Sequence, residues 1–448
     1  WWPLGRFPRF GAPGVSRSEA LGAAWGLVRE KIPLFALSAA SSIVTYVVQD
    51  RASAIPSSTF FPLDVRLSNA AVSWAKYLGR MLWPPSLATY YPHPGDTLPA
   101  WHVAGAVVLL SYATVLFVRW LGARGYTAVG WLWFLGTLVP VIGIVQVGAQ
   151  AMADRYAYVP SVGIFLLAVW GISDLAAGRK ESVPGVPAIA GALAILAVLS
   201  ILTWRQTGYW KDTVTLFRRT LEVTGNNCVA HNVIGETLLH EGGDVPGAEA
   251  HFRAALRSFP DYADANFNLG LLLLRKGDFD GAEEHLERTV RAEPGRSVAH
   301  YNLGTIRARR GDLPRAAADF REALSHRPEL AEAHYNLGLV LEKQGEREGA
   351  LHHYREAARL QPEDSMARNN LGAALARGGR AEESLQHFRE AVRLDPGNAV
   401  ARYNLALSLL AMGRREEANA EYGTAVRLRP GDAEMRRRWE AMAGGIRR

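Results

Sequence analysis

Six prolines in the second half of this 448-residue chain stand 34 residues apart: Pro260, Pro294, Pro328, Pro362, Pro396 and Pro430. Five glycines keep the same step: Gly277, Gly311, Gly345, Gly379 and Gly413. Glycine often ends a helix and proline often follows one, so this spacing indicates a short helical unit that recurs along the chain. Such units stack into a solenoid, because each one buries its apolar face only against its neighbours.

A period of 34 residues is typical of tetratricopeptide repeats, in which each unit is a helix-turn-helix pair. We therefore predict a solenoid over residues 212–448, with a half repeat, six full repeats and a capping helix. Phe217 in the half repeat takes the position of Phe252 in the first full repeat, and Arg436–Arg438 solvate the exposed end. A solenoid of this kind presents a long groove and usually binds a partner.

The first half of the chain is strongly apolar and is predicted to be a helical membrane domain over residues 1–211. About five stretches are long and apolar enough to span a bilayer: 32–48, 103–121, 128–147, 156–172 and 183–204. The predicted fold class is therefore all-α, with a multi-span membrane domain followed by the solenoid. The lipid bilayer is a predicted partner.

Basic residues in the short loops predict the orientation of these spans. They lie before the first span and after the second and fourth, and they are Arg6, Arg9, Arg17, Arg29, Lys31, Arg124, Arg179 and Lys180. An odd number of spans then places the repeats on the non-cytoplasmic side. The high ratio of arginine to lysine indicates a GC-rich bacterial genome, so we expect the inner membrane, with the repeats in the periplasm.

The composition excludes several kinds of site. Cys228 is the only cysteine, so there is no disulfide framework and no thiolate metal centre. No phosphate loop, zinc helix or nucleophile triad is recognisable, and no nucleic-acid module accompanies the net charge of +7. We predict no cofactor, no metal and no nucleic-acid partner. The chain starts at Trp1 without a signal-peptide pattern, and we expect it to be the rear part of a longer protein.

One asparagine recurs in the first helix of each repeat, the helix that lines the concave side of a tetratricopeptide solenoid. We call this set the asparagine row: Asn268, Asn302, Asn336, Asn370 and Asn404. Tyr301, Tyr335 and Tyr403 each precede a member of the row. An amide both donates and accepts, so the row is predicted to hold the backbone of an extended polypeptide. It resembles the asparagine ladder of O-GlcNAc transferase. In the alternative interpretation each asparagine bonds a neighbouring repeat.

Three further segments, together with the repeats, resemble the family of transmembrane and tetratricopeptide repeat-containing proteins. The segments are KIPLFALSAASS in the first predicted span, YPHPG at Tyr91–Gly95 and ADRYAYVPS within Trp131–Leu167. Animal members of this family are O-mannosyltransferases of the GT-C superfamily. The resemblance implies a polyprenyl-phosphate sugar as donor and a polypeptide as acceptor. The carboxylates that such enzymes need lie in a first external loop, which is absent from this chain.

The resemblance also makes Arg155 a candidate for binding a lipid phosphate, since it lies at an external membrane boundary. The alternative is a contact with Asp154 or an anchor at the interface. Two functions remain open: the acceptor-binding part of a membrane glycosyltransferase, or a non-catalytic membrane-tethered scaffold. No residue of these motifs identifies a catalytic group, and the sequence leaves open whether the chain is an enzyme.

Overall fold

The computed structural model describes residues 62–84, 87–95, 97–120, 125–144, 150–177 and 186–445, with isolated positions before residue 62. The chain divides into two compact units, Trp1–Ser258 and Phe259–Arg448, which are described separately. The described residues are overwhelmingly helical, and their only strands form one short two-stranded ladder. The all-α prediction is thus confirmed.

The first unit holds eight α-helices and two short strands among its described residues. In chain order they are α1 Leu63–Leu82, β1 Tyr91–Pro92, α2 Ala100–Val115, α3 Tyr126–Leu138, β2 Gln150–Met152, α4 Tyr158–Ala177, α5 Val186–Thr207, α6 Thr213–Thr224, α7 Cys228–His240 and α8 Val245–Ser258. A π-helical turn extends α2 to Trp120, and a 3₁₀ turn, Asp154–Ala157, precedes α4. The strands β1 and β2 pair in antiparallel fashion.

Three helical segments in the described part of the chain are long and apolar enough to cross a membrane: Ala100–Arg119, Asp154–Asp174 and Ile189–Trp210. They coincide with three of the five predicted spans, 103–121, 156–172 and 183–204. The predicted span 32–48 lies outside the described ranges. Their apolar side chains are largely exposed in the isolated chain, as expected of helices whose surroundings are lipid.

The predicted span 128–147 is not one continuous helix. The helix α3 ends at Leu138, and turns follow from Val139 onward. Proline lacks an N–H and its ring clashes with the carbonyl group four residues earlier, so Pro140 stops the helix instead of kinking it. Gly143 then adopts a φ of 91°, a backbone conformation that favours glycine. At 13 residues, α3 is too short to cross a bilayer alone.

Close approach of α3 and α4 organises the core of the first unit. A Cβ atom built on Gly130 would lie 2.6 Å from the carbonyl oxygen of Gly163, so only glycine allows the two backbones to meet. Trp131, Phe134 and Leu138 of α3 are almost wholly buried beside this contact. Because the surroundings of these helices are lipid, close van der Waals packing of these side chains, and not removal of apolar surface from water, holds α3 and α4 together.

The first helix of the repeat region is attached to the loop that carries β1. The hydroxyl groups of Thr89 and Thr220 lie 2.8 Å apart, and the Asn227 amide donates to the carbonyl oxygen of Tyr90 at 3.3 Å. Asn227 is fully buried, and its Oδ1 also caps α7 by accepting from the amide of Ala230. The helices α6 and α7 are therefore anchored within the first unit.

The second unit consists of five helix pairs and a terminal helix. In chain order they are α9 Ala263–Lys276, α10 Phe279–Ala292, α11 Ser297–Arg310, α12 Leu313–His326, α13 Ala331–Gln344, α14 Arg347–Leu360, α15 Ser365–Arg377, α16 Ala381–Leu394, α17 Ala399–Ala411, α18 Arg415–Leu428 and α19 Ala433–Gly445. The glycine that follows α11, Gly311, has φ of 84° and donates its N–H to the carbonyl oxygen of Ala308. Asp312 then caps α12 through the amide of Arg315.

In three of the five pairs, a glycine on the first helix faces an aromatic ring on the second; in the first pair Gly270 faces Leu286, and in the last pair Ala406 takes the place of the glycine. Cβ atoms built on Gly304 and Gly338 would lie 2.8 Å from the rings of Phe320 and Tyr354, distances that real Cβ atoms do not adopt. Both rings are buried. The missing Cβ therefore allows the two helices of these pairs to lie close together.

This contact predicts opposite effects for two glycine-to-alanine substitutions. Gly338→Ala forces the buried Tyr354 ring to move and should lower the free energy of unfolding by about 1–3 kcal/mol. Gly423→Ala, inside α18, meets no atom closer than 3.8 Å and should raise it by up to about 1 kcal/mol, because glycine disfavours helix. Urea unfolding followed by circular dichroism measures both. A Gly338→Ala variant as stable as the parent protein would contradict the packing.

Candidate functional site

The asparagine row lies on the first helices of the five pairs in the second unit, at one position of the repeat. All five side chains are half-buried. Burial of these side chains therefore does not distinguish between the two interpretations that the sequence left open. Their hydrogen bonds decide between them.

Two members of the row bond the preceding repeat. The amide of Asn336 donates to the hydroxyl of Tyr301 at 3.3 Å, and that of Asn370 donates to the hydroxyl of Tyr335 at 2.9 Å. Each bond joins residues 35 positions apart, so each ties one repeat to the next. The amide nitrogens of these two residues are thus committed to the solenoid.

Where another residue stands in place of the tyrosine, the asparagine amide of the next repeat bonds a different partner. Asn369 stands at the tyrosine position of its repeat, and its Oδ1 accepts from the Asn404 amide at 2.9 Å. Phe267 has no hydroxyl, so the Asn302 amide turns to the carbonyl oxygen of Val298 in its own helix, at 2.7 Å.

Tyr403 shows what happens when the asparagine is missing. The position 35 residues after it is occupied by Arg438. The Tyr403 hydroxyl is buried and has no hydrogen-bond partner among the described residues. The tie between repeats therefore requires both members of the pair, and it stops where the solenoid ends.

The tyrosine rings pack inside the repeats. Ring centroids of Tyr301 and Phe320 lie 6.0 Å apart, and those of Tyr335 and Tyr354 lie 6.2 Å apart. Tyr403 is 7% exposed. Burial raises the pKa of Tyr335, so its hydroxyl stays protonated. The tyrosines position the asparagine amides, and only part of each ring is left accessible.

The carbonyl oxygens of the row remain for other partners. No described residue donates to the Oδ1 atom of Asn302, Asn336 or Asn404. The Oδ1 of Asn370 accepts from the neighbouring Asn369 amide at 3.2 Å. Asn268 also takes part in an interaction. The row therefore offers hydrogen-bond acceptors at three positions, while its donors stabilise the solenoid.

A second repeated position, not identified from the sequence, carries a nitrogen donor in every repeat of the second unit. We call it the donor column: Asn266, His300, His334, Arg368, Arg402 and Arg436. Each side chain donates to the carbonyl oxygen of the repeat-ending proline six residues earlier. Each of these prolines lies in a turn after a helix, so its carbonyl oxygen has no helical hydrogen bond. The side-chain donor supplies that hydrogen bond. The donor column could have been predicted from the sequence, because side chains with a nitrogen donor recur there every 34 residues.

The donor column meets a polar residue of the second helix, 19 positions later. The Nδ1 atoms of His334 and His353 lie 2.9 Å apart. Since Nε2 of His334 donates to the carbonyl oxygen of Pro328, its Nδ1 accepts a hydrogen bond from the Nδ1–H of His353 when both rings are neutral. Asp319 instead faces His300, at 3.9 Å.

Burial sets the charge of these histidines. It lowers the pKa of His353 to about 4, helped by His334, His352 and Arg321 and opposed by Glu356. Burial also lowers the pKa of His334. The folded state therefore favours the neutral pair, and protonation opposes folding.

This pair predicts a loss of stability in acid. Both histidines bind protons more readily in the unfolded chain, with a pKa near 6.5, so stability should fall as the pH drops from about 6.5 towards 4. The slope is at most about 1.4 kcal/mol per pH unit for each proton. His353→Gln keeps a hydrogen-bonding side chain without this titration and should flatten the dependence. Urea unfolding between pH 8 and pH 5 measures it.

His300 supplies a control of opposite sign. The carboxylate of Asp319, 3.9 Å from its Nδ1, raises the pKa of His300, so the contribution of His300 to stability is present in acid and is lost as the pH rises through the folded value. His300→Gln should therefore make the loss of stability in acid steeper. A flatter curve in this variant, or an unchanged one in His353→Gln, would refute the assignment.

A separate polar cluster lies in the first unit, where β1 and β2 join the YPHPG and ADRYAYVPS segments. Tyr91 pairs with Met152, and its hydroxyl donates to Oδ2 of Asp154 at 2.8 Å. The amide of Ala88 lies 3.2 Å from the same oxygen. Arg80 of α1 lies 3.9 Å from Oδ1 of Asp154 and also 3.9 Å from the centre of the Tyr91 ring.

Arg155 lies beside this cluster but outside its hydrogen bonds. Its side chain is exposed, and its guanidinium lies 5.1 Å from the centre of the Tyr156 ring. Asp154 accepts a hydrogen bond from Tyr91 and lies near Arg80. The described residues therefore do not form the alternative pair of Asp154 and Arg155. Arg155 makes no ion pair with them. No group of three potential metal ligands occurs in the described part of the chain.

Family comparisons identify the repeats. Sequence profiles described as tetratricopeptide repeat match residues 238–297, 341–399 and 374–437, and one described as TPR repeat matches 304–345. The second half of the chain is therefore made of tetratricopeptide repeats. With three apolar helices in the first half, the molecule is a membrane protein that carries a tetratricopeptide solenoid.

Curated relatives are protein O-mannosyl-transferases. The chain is 29% identical to TMTC1 of Mus musculus over 143 residues, which is 32% of this chain and 15% of that protein. It is 28% identical to Tmtc3 of Drosophila melanogaster over 139 residues, 31% of this chain and 15% of the relative. The alignments thus span about a seventh of these relatives.

Solved structures also resemble the chain. The TPR protein YrrB, described as having an unusual peptide-binding site, is 26% identical with a TM-score of 0.38, covering 41% of this chain and 94% of its own. PilF of Pseudomonas aeruginosa is 19% identical with a TM-score of 0.42, and the match covers 48% of this chain and 97% of PilF.

Proposed function

We propose that the solenoid binds extended polypeptides along the asparagine row, on the non-cytoplasmic side of the membrane. The observation that carries this proposal is that the nitrogen and the oxygen of each amide differ in their hydrogen bonding. Nitrogens of the row bond neighbouring repeats or the helix itself, while the Oδ1 atoms of Asn302, Asn336 and Asn404 have no described donor. Backbone N–H groups of an extended chain fit such acceptors regardless of sequence.

The polypeptide so bound would be the acceptor of a GT-C-like protein O-glycosyltransferase that uses a polyprenyl-phosphate sugar. Similarity to protein O-mannosyl-transferases supports this part of the proposal. Arg155 is the candidate contact for the lipid phosphate, because it is exposed beside the β1–β2 ladder and makes no described ion pair. Guanidinium groups bind phosphate oxygens well.

Peptide binding is tested by removing the free acceptors. Asn302→Ala, Asn336→Ala and Asn404→Ala together delete three of them, and each lost hydrogen bond costs about 0.5–1.5 kcal/mol. Affinity for an unfolded polypeptide, such as reduced and alkylated lysozyme, should fall about tenfold or more. Calorimetric titration of the whole chain in detergent measures it.

The control separates binding from stability. Tyr301→Phe with Tyr335→Phe removes the ties of Asn336 and Asn370 but leaves every asparagine carbonyl in place. This variant should melt at lower temperature and still bind the polypeptide. If the asparagine variant stays folded and binds as tightly as the parent, the groove proposal is wrong. Peptide binding without sugar transfer would instead favour a scaffold.

Orientation is tested with topology reporters. A reporter placed at Gly178 should be active only in the cytoplasm, and one after Arg448 only outside it, because one apolar helix, Ile189–Trp210, separates the two points. Alkaline phosphatase and green fluorescent protein fusions report the two sides. Activity of both fusions on the same side would show that this helix does not cross.

A further inference from the structure

A cleft of about 460 Å³ in the second unit is lined with cationic side chains. Arg355 and Arg359 project from α14, Arg368 from α15 and His387 from α16. Pro362 and two apolar side chains, Ala358 and Leu371, complete the lining. The cleft lies between successive repeats and involves no member of the asparagine row.

The next repeat provides a matched comparison. Thirty-four residues on, the four polar positions are Arg389, Arg393, Arg402 and Glu421. There the carboxylate of Glu421 accepts from Arg402 Nη1 at 2.7 Å. Three arginines are therefore common to both repeats, and the carboxylate that neutralises one of them is replaced by His387 in the cleft.

The arginines of the cleft keep donors available. No described residue forms a hydrogen bond or ion pair with Arg355. Arg368 uses only Nε, which donates to the carbonyl oxygen of Pro362 at 3.2 Å. Arg359 is paired with Glu356 at 2.8 Å. Two guanidinium groups thus lack a described carboxylate.

Two of the three acidic residues of α16, Glu383 and Glu390, are held by other arginines. Glu383 receives two hydrogen bonds from Arg380, at 2.8 and 2.5 Å. Glu390 receives two from Arg393, at 2.9 and 2.6 Å. These bidentate pairs leave the cleft with an excess of positive charge.

We propose that the cleft between Arg355, Arg368 and His387 binds a carboxylate of an acidic polypeptide. The incoming group would bind Arg368 as the carboxylate of Glu421 binds Arg402, its counterpart in the next repeat. Two guanidinium groups provide a fork for its oxygens, and the cleft is large enough for the side chain that carries it. This contact is independent of the groove function proposed above.

Binding should be coupled to protonation of His387. Burial and the charges of Arg368 and Arg355 lower the pKa of His387, and Glu383 opposes them. A bound carboxylate adds a negative charge beside the ring and favours its protonated form. Affinity should therefore rise as the pH falls from 8 towards 6, with proton uptake on binding.

The probe is a hexaglutamate peptide, titrated calorimetrically into the whole chain in detergent. Arg355→Gln removes a side chain that makes no described bond, so the fold should persist while affinity falls about tenfold. Arg389→Gln, its counterpart one repeat later, should leave affinity unchanged. His387→Glu supplies the carboxylate found in the next repeat and should abolish binding.

Three results would overturn the proposal: full affinity in His387→Glu, equal losses in Arg355→Gln and Arg389→Gln, or affinity that does not change with pH. Inorganic phosphate is the second arm, and phosphate binding tighter than that of the peptide would reject a carboxylate ligand. The triple asparagine variant should bind hexaglutamate normally, which keeps this test separate from that of the groove.

Discussion

Close packing of a side chain of the second helix against a glycine of the first occurs in four of the five helix pairs of the second unit, in three of them with an aromatic ring, and the rest of the repeat structure depends on it. Gly304 meets Phe320 and Gly338 meets Tyr354, and no room remains for a Cβ atom at either glycine. The two helices are held at one separation in each pair, so equivalent positions occupy equivalent places in successive repeats. A 34-residue step in the sequence thereby becomes a column of side chains in space.

Those columns carry the polar chemistry. The donor column satisfies the carbonyl oxygens of the repeat-ending prolines, and the pairs of asparagine and tyrosine tie each repeat to the next. Buried polar groups of this kind stabilise the solenoid only when both partners are present, as the buried hydroxyl of Tyr403 shows. The same geometry turns asparagine nitrogens inward and leaves carbonyl oxygens for a ligand.

The sequence predicted features that depend on neighbouring residues better than contacts between residues far apart in the chain. The period gave the repeats and their helices, because glycine and proline act on neighbouring residues. The hydrogen bond between Asn370 and Tyr335 was left undecided, since it depends on how one repeat is rotated against the next. In the first unit, hydropathy located three membrane helices but missed the end of α3, where Pro140 outweighs an unbroken apolar run.

The contact of Tyr91 with Asp154 shows the same limit in a different form. The resemblance marked both of their segments, YPHPG and ADRYAYVPS, without indicating that they touch. The ladder of β1 and β2 brings them together across 63 residues, and Arg80 from α1 completes the cluster. Sequence spacing carries no information on such a contact, because the intervening helices α2 and α3 set it by their packing.

In a repetitive molecule the departures from the pattern are the most informative residues. Phe267 redirects one asparagine to its own helix, and Arg438 ends the series of ties. The position of His387 carries either a histidine or a carboxylate in different repeats, and His387 and Glu421 share the same arginine positions around them. Arg355 and Arg368 line the cleft without a carboxylate from the described residues, whereas Arg402 of the next repeat is paired with Glu421. The carboxylate of a ligand would complement the charge that this difference between two repeats leaves in the cleft.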